Sequence, residues 1–182
     1  RTSDGPTLVL VGSRHEASRA QMSVLADRGG VVAMTMEPGE ALGKREERRS
    51  YTGRLLDSVR SALSTGRHVA LAWSDSKPYA HAALDSLADA ASLDRFAGTL
   101  AYGALRATSV AGLALIGGDT AFGVLSALGA ASVDVVGEVE AGVPYGVIAD
   151  GAAAGTVLVT KAGGFGDRMT LVRTLDLVES HI

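Results

Sequence analysis

In Leu113-Ala-Leu-Ile-Gly-Gly-Asp-Thr-Ala-Phe-Gly-Val-Leu-Ser-Ala-Leu-Gly129, four apolar residues run into Gly117-Gly118-Asp119-Thr120. Beyond that turn, Ala121, Val124, Leu125 and Leu128 recur at helical spacing as far as a stopping Gly129. The pattern predicts a buried strand, a tight glycine turn and a helix. Such a turn leaves the first N–H groups of the helix without intrahelical partners, aimed beyond the strand end, where a phosphate or carboxylate would meet them. The alternative is local: Asp119 or Thr120 as an N-cap satisfies the same donors with no ligand.

Outward from this stretch the same unit repeats. Thr7-Leu-Val-Leu-Val11 is a continuous strand-forming run of the kind buried on both faces, followed by Gly12-Ser13 and an amphipathic segment from Glu16 to Asp27. Val31 to Met34 reads as a second strand, and a helical pattern runs from Leu42 to Leu63. Within it, Lys44 to Arg49 mixes arginines with Glu46 and Glu47, which favours a solvated helix face over an anion site. Val69 to Trp73 is a third strand, Ser74-Asp-Ser-Lys-Pro78 a polar loop, and His81 to Ala107 an alanine-rich helical region with a break at Ser92 to Asp94. After Gly129 the pattern changes. Val133 to Glu140 and Tyr145 to Ala149 flank a turn at Ala141 to Pro144, and Gly155 to Thr160 is one more buried strand. Lys161-Ala-Gly-Gly-Phe-Gly-Asp167 then leads into a final amphipathic helix carrying Met169, Leu171, Val172, Leu175 and Val178. The fold class is therefore α/β: a mostly parallel sheet with helices on both faces, a Rossmann-like three-layer sandwich, with antiparallel or hairpin strands near 133–160.

Bulk properties bound the function. With 182 residues the chain suits one well-buried core, and 47% hydrophobic content with 23 glycines and only 4% aromatics fits a sheet joined by tight turns. We read residues 1–182 as a single domain, with 1–6 a linker and the opening without methionine suggesting a piece of a longer protein. A net charge of -3 offers no broad basic surface for nucleic acid. No apolar run approaches the roughly 18 residues that span a bilayer. The absence of cysteine excludes disulfides and thiolate metal sites and fits a cytoplasmic protein.

In such sheets, ligands bind outside the carboxyl ends of the strands. Three glycine turns fall there: Gly12-Ser13, Gly117 to Thr120, and Gly163 to Gly166. Glycine lets a backbone approach a ligand closely, and the hydroxyls of Ser13 and Thr120 are donors for phosphate oxygens. Bland alternatives stand beside each: Ser13 as a helix cap, Asp119 as a cap rather than a magnesium-orienting group or a base, Lys161 turned to solvent or to a structural carboxylate rather than a phosphate. Phe165 either stacks on a base or anchors its loop. His15, His68, His81 and His181 show no ligand spacing, His15 alone lying in a candidate loop. Neither Gly-x-x-x-x-Gly-Lys-Ser/Thr nor Gly-x-Gly-x-x-Gly after the first strand is present, which disfavours a dinucleotide oxidoreductase.

Taken together, Val11-Gly-Ser-Arg-His-Glu-Ala-Ser-Arg-Ala-Gln21, Gly117-Gly-Asp-Thr-Ala121, Gly142-Val-Pro144 and Lys161-Ala-Gly-Gly-Phe-Gly-Asp167 resemble the C-terminal nucleotide-binding domain of the four-carbon acid sugar kinase family. Its members act on D-threonate, D-erythronate and 3-oxo-tetronates with ATP as phosphoryl donor. The resemblance covers nearly the whole chain from Leu8. It departs from the family at His15, where serine is commoner, and at Ser18, where threonine is. It implies ATP and Mg2+ as cofactors and ATP contacts at Ser13, Gly117, Gly118, Asp119, Thr120 and Gly163. It also implies that the sugar acid is held by an N-terminal domain with no counterpart here, so that this chain alone binds ATP but phosphorylates nothing efficiently. A homo-oligomer is compatible with this reading. The competing expectation is a non-catalytic nucleotide- or metabolite-binding domain, or an interaction domain whose turns are all structural caps.

Overall fold

The computed structural model describes residues 5–74 and 87–180. The predicted loop beyond Ser74, His81, His181 and the first four linker residues lie outside the described residues. In chain order the elements are β1 (Thr7–Val11), α1 (Glu16–Ala26), β2 (Val31–Met36), α2 (Pro38–Ala41), α3 (Arg45–Ser64), β3 (His68–Trp73), α4 (Leu87–Ala107) and β4 (Gly112–Ile116). They continue with α5 (Gly118–Leu128), β5 (Val133–Glu140), β6 (Val143–Ile148), a 3-10 turn at Gly151–Ala153, β7 (Val157–Lys161) and α6 (Thr170–Ser180).

The strands form a seven-stranded sheet in the order β2-β3-β1-β4-β7-β6-β5. β2, β3, β1, β4 and β7 run parallel, and β6 and β5 complete the sheet antiparallel. The α/β class and the antiparallel strands near 133–160 are as the sequence predicts. β1 and β4 are buried at every position because they are central and covered on both faces. Alternate side chains divide between two layers. Leu8, Leu10, Leu71, Leu113 and Leu115 pack with Val59 and Leu63 of α3, Phe96 and Leu100 of α4, and Val124 and Leu128 of α5. Val9, Val11, Ala114, Ile116 and Val159 pack on the opposite face with Leu25 of α1 and Leu171, Leu175 and Val178 of α6. Truncating one such fully buried leucine to alanine costs about 2–5 kcal/mol.

Where boundaries differ from expectation, local chemistry explains it. The helical pattern expected from Leu42 is divided into α2, opened by Pro38 at its first position, and α3, whose Glu47 carboxylate accepts the Lys44 N–H at 3.2 Å. Lys44 to Arg49 are all exposed, as a solvated face requires. No break occurs at Ser92 to Asp94. The Ser92 hydroxyl donates to the Ala88 carbonyl at 2.7 Å and accepts from Arg95, so the polar residues are satisfied inside a continuous helix. Pro144 lies within β6 rather than in the turn before it. Pairing with β7 begins only at Tyr145, so the missing N–H breaks no bond to that neighbour. The carbonyl of Pro6, in the stretch read as a linker, accepts from Ala111 N–H at 2.9 Å. Among the described residues no helix is long and apolar enough to cross a membrane.

Candidate functional site

Strand order places the site. From β1 the chain crosses to β2 and β3 on one side, then returns to β4 on the other, so the connections leaving the carboxyl ends of the paired strands β1 and β4 run to opposite sides. That topological switch point is where open α/β sheets hold ligands. The turns after β1 and β4 face each other across it.

After β4, Gly117 adopts φ 112° and ψ 128°, a conformation closed to residues with side chains, and its N–H donates to the Lys161 carbonyl at 2.8 Å. Gly117 is the N-cap of α5 and supplies no side-chain cap. The first intrahelical bond is made by Ala121 N–H to the Gly117 carbonyl. The N–H groups of Gly118, Asp119 and Thr120 precede it, at the positive end of the helix dipole. The expectation of Asp119 or Thr120 as N-cap is therefore corrected: Asp119 stands exposed in the first turn and Thr120 is buried.

The turn after β1 is fastened to the same point. Gly12 and Ser13 both donate N–H to the Ile116 carbonyl, at 2.9 and 3.1 Å. A side chain at Gly12 has no room, since its Cβ would lie 1.7 Å from the Thr120 hydroxyl oxygen. That hydroxyl donates to Asp94 Oδ1 at 3.0 Å, so Thr120 offers a ligand its backbone and not its side chain. Ser13 does not cap α1. His15 does, its Nδ1 accepting from Ala17 N–H at 3.2 Å, while Ser13 Oγ accepts from His15 N–H and keeps its own proton available.

The third loop meets this pair at Gly163, where a Cβ would lie 2.0 Å from Ser13 Oγ and 3.2 Å from His15 Cβ. Lys161 faces neither solvent nor a carboxylate contact. It is 3% exposed, and its ammonium donates to the carbonyls of Ala162, Gly163 and Phe165 at 2.9, 3.0 and 2.9 Å. Burial pushes its pKa below the ordinary lysine range, with Glu140 opposing the shift. The Phe165 ring lies over Gly142, in the space a Cβ there would need, but it is 52% exposed and so is not seated in the core.

Together the turns wall a cleft of about 340 Å³ lined by Ser13, Gly117, Gly118, Asp119, Thr120 and Gly163, all six residues singled out from the sequence. The cleft also takes in Arg14, Trp73 and Asp94, which sequence reasoning missed. Asp94 is brought from α4 by helix packing. Burial raises its pKa and the Asp119 carboxylate adds to that, against the lowering bond from Thr120. The one signal for it was the polar interruption at Ser92 to Asp94. Trp73 is held from behind by Phe96, ring centroids 5.8 Å apart. Among the described residues no three His, Cys, Asp or Glu side chains are grouped to hold a metal.

A switch-point cleft between glycine turns marks an open α/β domain with a candidate ligand site. The chain belongs to the nucleotide-binding C-terminal domain family, whose model matches residues 8–171. It is 34% identical over 187 residues to a D-threonate kinase of Bordetella bronchiseptica, covering 97% of this chain and 41% of that protein. It is 27% identical over 183 residues to a D-threonate kinase of Salmonella typhimurium, covering 96% and 43%. The chain thus spans about two fifths of the length of these curated relatives. Among solved structures, a Bordetella bronchiseptica protein crystallised as a domain-swapped dimer with bound citrate superposes with TM-score 0.78 at 34% identity, over 96% of this chain and 41% of that one. A Haemophilus influenzae protein superposes equally well, TM-score 0.78, at 19% identity over 97% and 41%, a likeness of fold.

Proposed function

We propose that the cleft binds ATP and that the chain is the nucleotide-binding part of a kinase that transfers the γ-phosphoryl group to a hydroxyl of a four-carbon sugar acid of the threonate, erythronate or 3-oxo-tetronate class. The observation that carries this is the uncapped N-terminus of α5 at the switch point, with Ser13 and Gly163 beside it. The N–H groups of Gly118, Asp119 and Thr120 supply donors for phosphate oxygens, and Ser13 adds a hydroxyl. Their positions are set by backbone bonds to Ile116 and Lys161, so little reorganisation accompanies binding. Phosphoryl transfer asks mainly for such positioning and charge stabilisation.

The donor set also fits a magnesium ion, which binds through one or two carboxylates plus substrate phosphates rather than in an all-protein cage. Asp119, with Asp94 behind it, would hold the ion, whose chemistry is to neutralise phosphate charge. The acceptor hydroxyl and any base acting on it belong, in this reading, to a sugar-acid-binding part of the parent protein. ATP as donor and the absence of cysteine suit a cytoplasmic parent, and the domain-swapped dimer of the Bordetella relative supports a homo-oligomeric one.

Calorimetric titration of the purified chain with ATP and magnesium tests the proposal. Binding is expected, with Asp119→Ala and Gly163→Val each weakening it about tenfold or more, the equivalent of one lost charge-assisted contact. No heat and no thermal shift at millimolar ATP would instead favour an interaction domain with purely structural turns. Efficient phosphorylation of a sugar acid by the chain alone would overturn the assignment of the acceptor site to the rest of the parent.

A further inference from the structure

Three side chains that the proposed phosphate chemistry does not use are buried together and all bond to one loop. Ser18 and Gln21 of α1 have no exposed surface and Lys161 is 3% exposed. Ser18 Oγ donates to the Gly163 carbonyl at 2.8 Å, and Gln21 Nε2 to the Phe165 carbonyl at 2.9 Å. Both carbonyls are also taken by the Lys161 ammonium, which adds Ala162. We propose that Lys161, seconded by Ser18 and Gln21, is a positioning residue that turns the carbonyl oxygens of residues 162, 163 and 165 inward, away from the cleft, and so makes the third wall receptive to a polyphosphate. The inference rests on the nucleotide reading of the cleft.

The physical case is one of cost and direction. Burying an ammonium without a carboxylate partner is expensive unless all of its N–H groups are satisfied. Lysine has three such donors, and three carbonyls of a single short loop receive them. Lys161 is not among the residues lining the cleft, whereas Gly163 is. The carbonyl of Gly163 therefore points behind the wall while its Cα faces Ser13. A loop free to rotate these peptide groups would present carbonyl oxygens to an incoming anion and repel it. The same ammonium leaves a positive charge behind Gly163, where water screens it poorly.

The test compares Lys161→Met with Leu175→Ala, a core truncation in α6, each studied at a temperature where melting curves show it folded. ATP affinity of Lys161→Met is expected to fall about tenfold or more, and adenosine affinity less than about twofold, because only the phosphates meet the wall. Leu175→Ala is expected to bind ATP as the wild type does. Equal ATP affinity in wild type and folded Lys161→Met overturns the inference, as does an equal loss in Leu175→Ala. If Lys161→Met fails to fold, Ser18→Ala removes one bond to Gly163 and is expected to cost about threefold in ATP affinity with adenosine unchanged. An unchanged ATP affinity there overturns the inference. If the wild type binds no ATP, the nucleotide reading fails by itself. Amide hydrogen exchange then decides positioning: residues 162–166 must exchange faster in Lys161→Met, or in Ser18→Ala where the former does not fold, than in Leu175→Ala, and equal rates sink it.

Discussion

The turn at Gly117 to Thr120 and the loop at Ala162 to Asp167 wall the same cleft, yet they are held by opposite means. The first is fixed mainly by backbone: the Gly117 N–H closes on the Lys161 carbonyl and those of Gly12 and Ser13 on the Ile116 carbonyl, the Thr120 hydroxyl adds one bond to Asp94, and no side chain caps the helix it opens. The second is fixed by side chains, with Lys161, Ser18 and Gln21 holding its carbonyls from within. At its far end the Arg173 guanidinium pairs with Asp167 at 2.6 Å and with Glu140. A turn built from backbone leaves its donors free for a ligand. A loop with no helix behind it must have its acceptors removed from the ligand's path, and that takes buried polar groups.

The largest effect is expected where the backbone turn has no slack. Gly12→Ala drives a methyl group into Thr120, and destabilisation of about 2–3 kcal/mol should follow in urea unfolding, as overpacking of a tight core does. Stability within about 0.5 kcal/mol of wild type, the scatter of surface substitutions, would show that the two turns are not locked together. A sharper test is Gly118→Ala, because a Cβ there meets nothing within 4 Å. Its stability is expected to rise by up to about 1 kcal/mol, since alanine is the better helix former, while ATP affinity falls about tenfold by calorimetry. Loss of both together would mean that Gly118 is a folding residue and not a ligand-facing one.

The smallest effect lies at the other end of the sheet and serves as a control on both. His68 Nδ1 accepts the Thr7 N–H at 3.0 Å, and Nε2 donates to Glu179 at 2.9 Å. Only the neutral ring can accept at Nδ1, and burial lowers the His68 pKa in the folded chain, against a raising contribution from Glu179. A group held neutral in the fold binds its proton more readily when unfolded. Its stabilisation is therefore present above the ordinary histidine pKa of 6.5 and is lost as pH falls through that value toward the lowered one. Denaturant unfolding should show a fall of about 1 kcal/mol or less between roughly pH 7 and 5, flattened in His68→Gln, with no parallel change in ATP affinity.

Much of this was legible from the chain because the features concerned are local. Continuous runs such as Leu8 to Val11 and Leu113 to Ile116 mark strands covered on both faces, and glycines beyond the strand ends mark the three turns that wall the cleft; the six residues within those turns are the ones the family resemblance implies. What escaped depends on distant partners. Asp94 enters the cleft because α4 packs so closely on α5 that a Cβ at Gly123 would lie 2.9 Å from the Asp94 carbonyl, a contact no spacing rule contains. The sequence leaves Lys161 to a phosphate, to solvent or to a structural carboxylate, because its actual partners are backbone carbonyls, which every sequence has and none advertises. The break expected at Ser92 to Asp94 is absent for a related reason: whether a serine interrupts a helix depends on its finding an acceptor one turn back, and this one does.

Trp73 sits at the end of β3 on the wall of the cleft and is the only tryptophan in the chain, which contains 1. Its indole is thus a native optical reporter of the site, its emission uncontaminated by tryptophans elsewhere. Quenching or a spectral shift on adding a ligand reads occupancy beside Trp73, in this cleft or in the adjoining hollow against α1 that the same indole lines, so affinities of the variants above are measurable by fluorescence without a label.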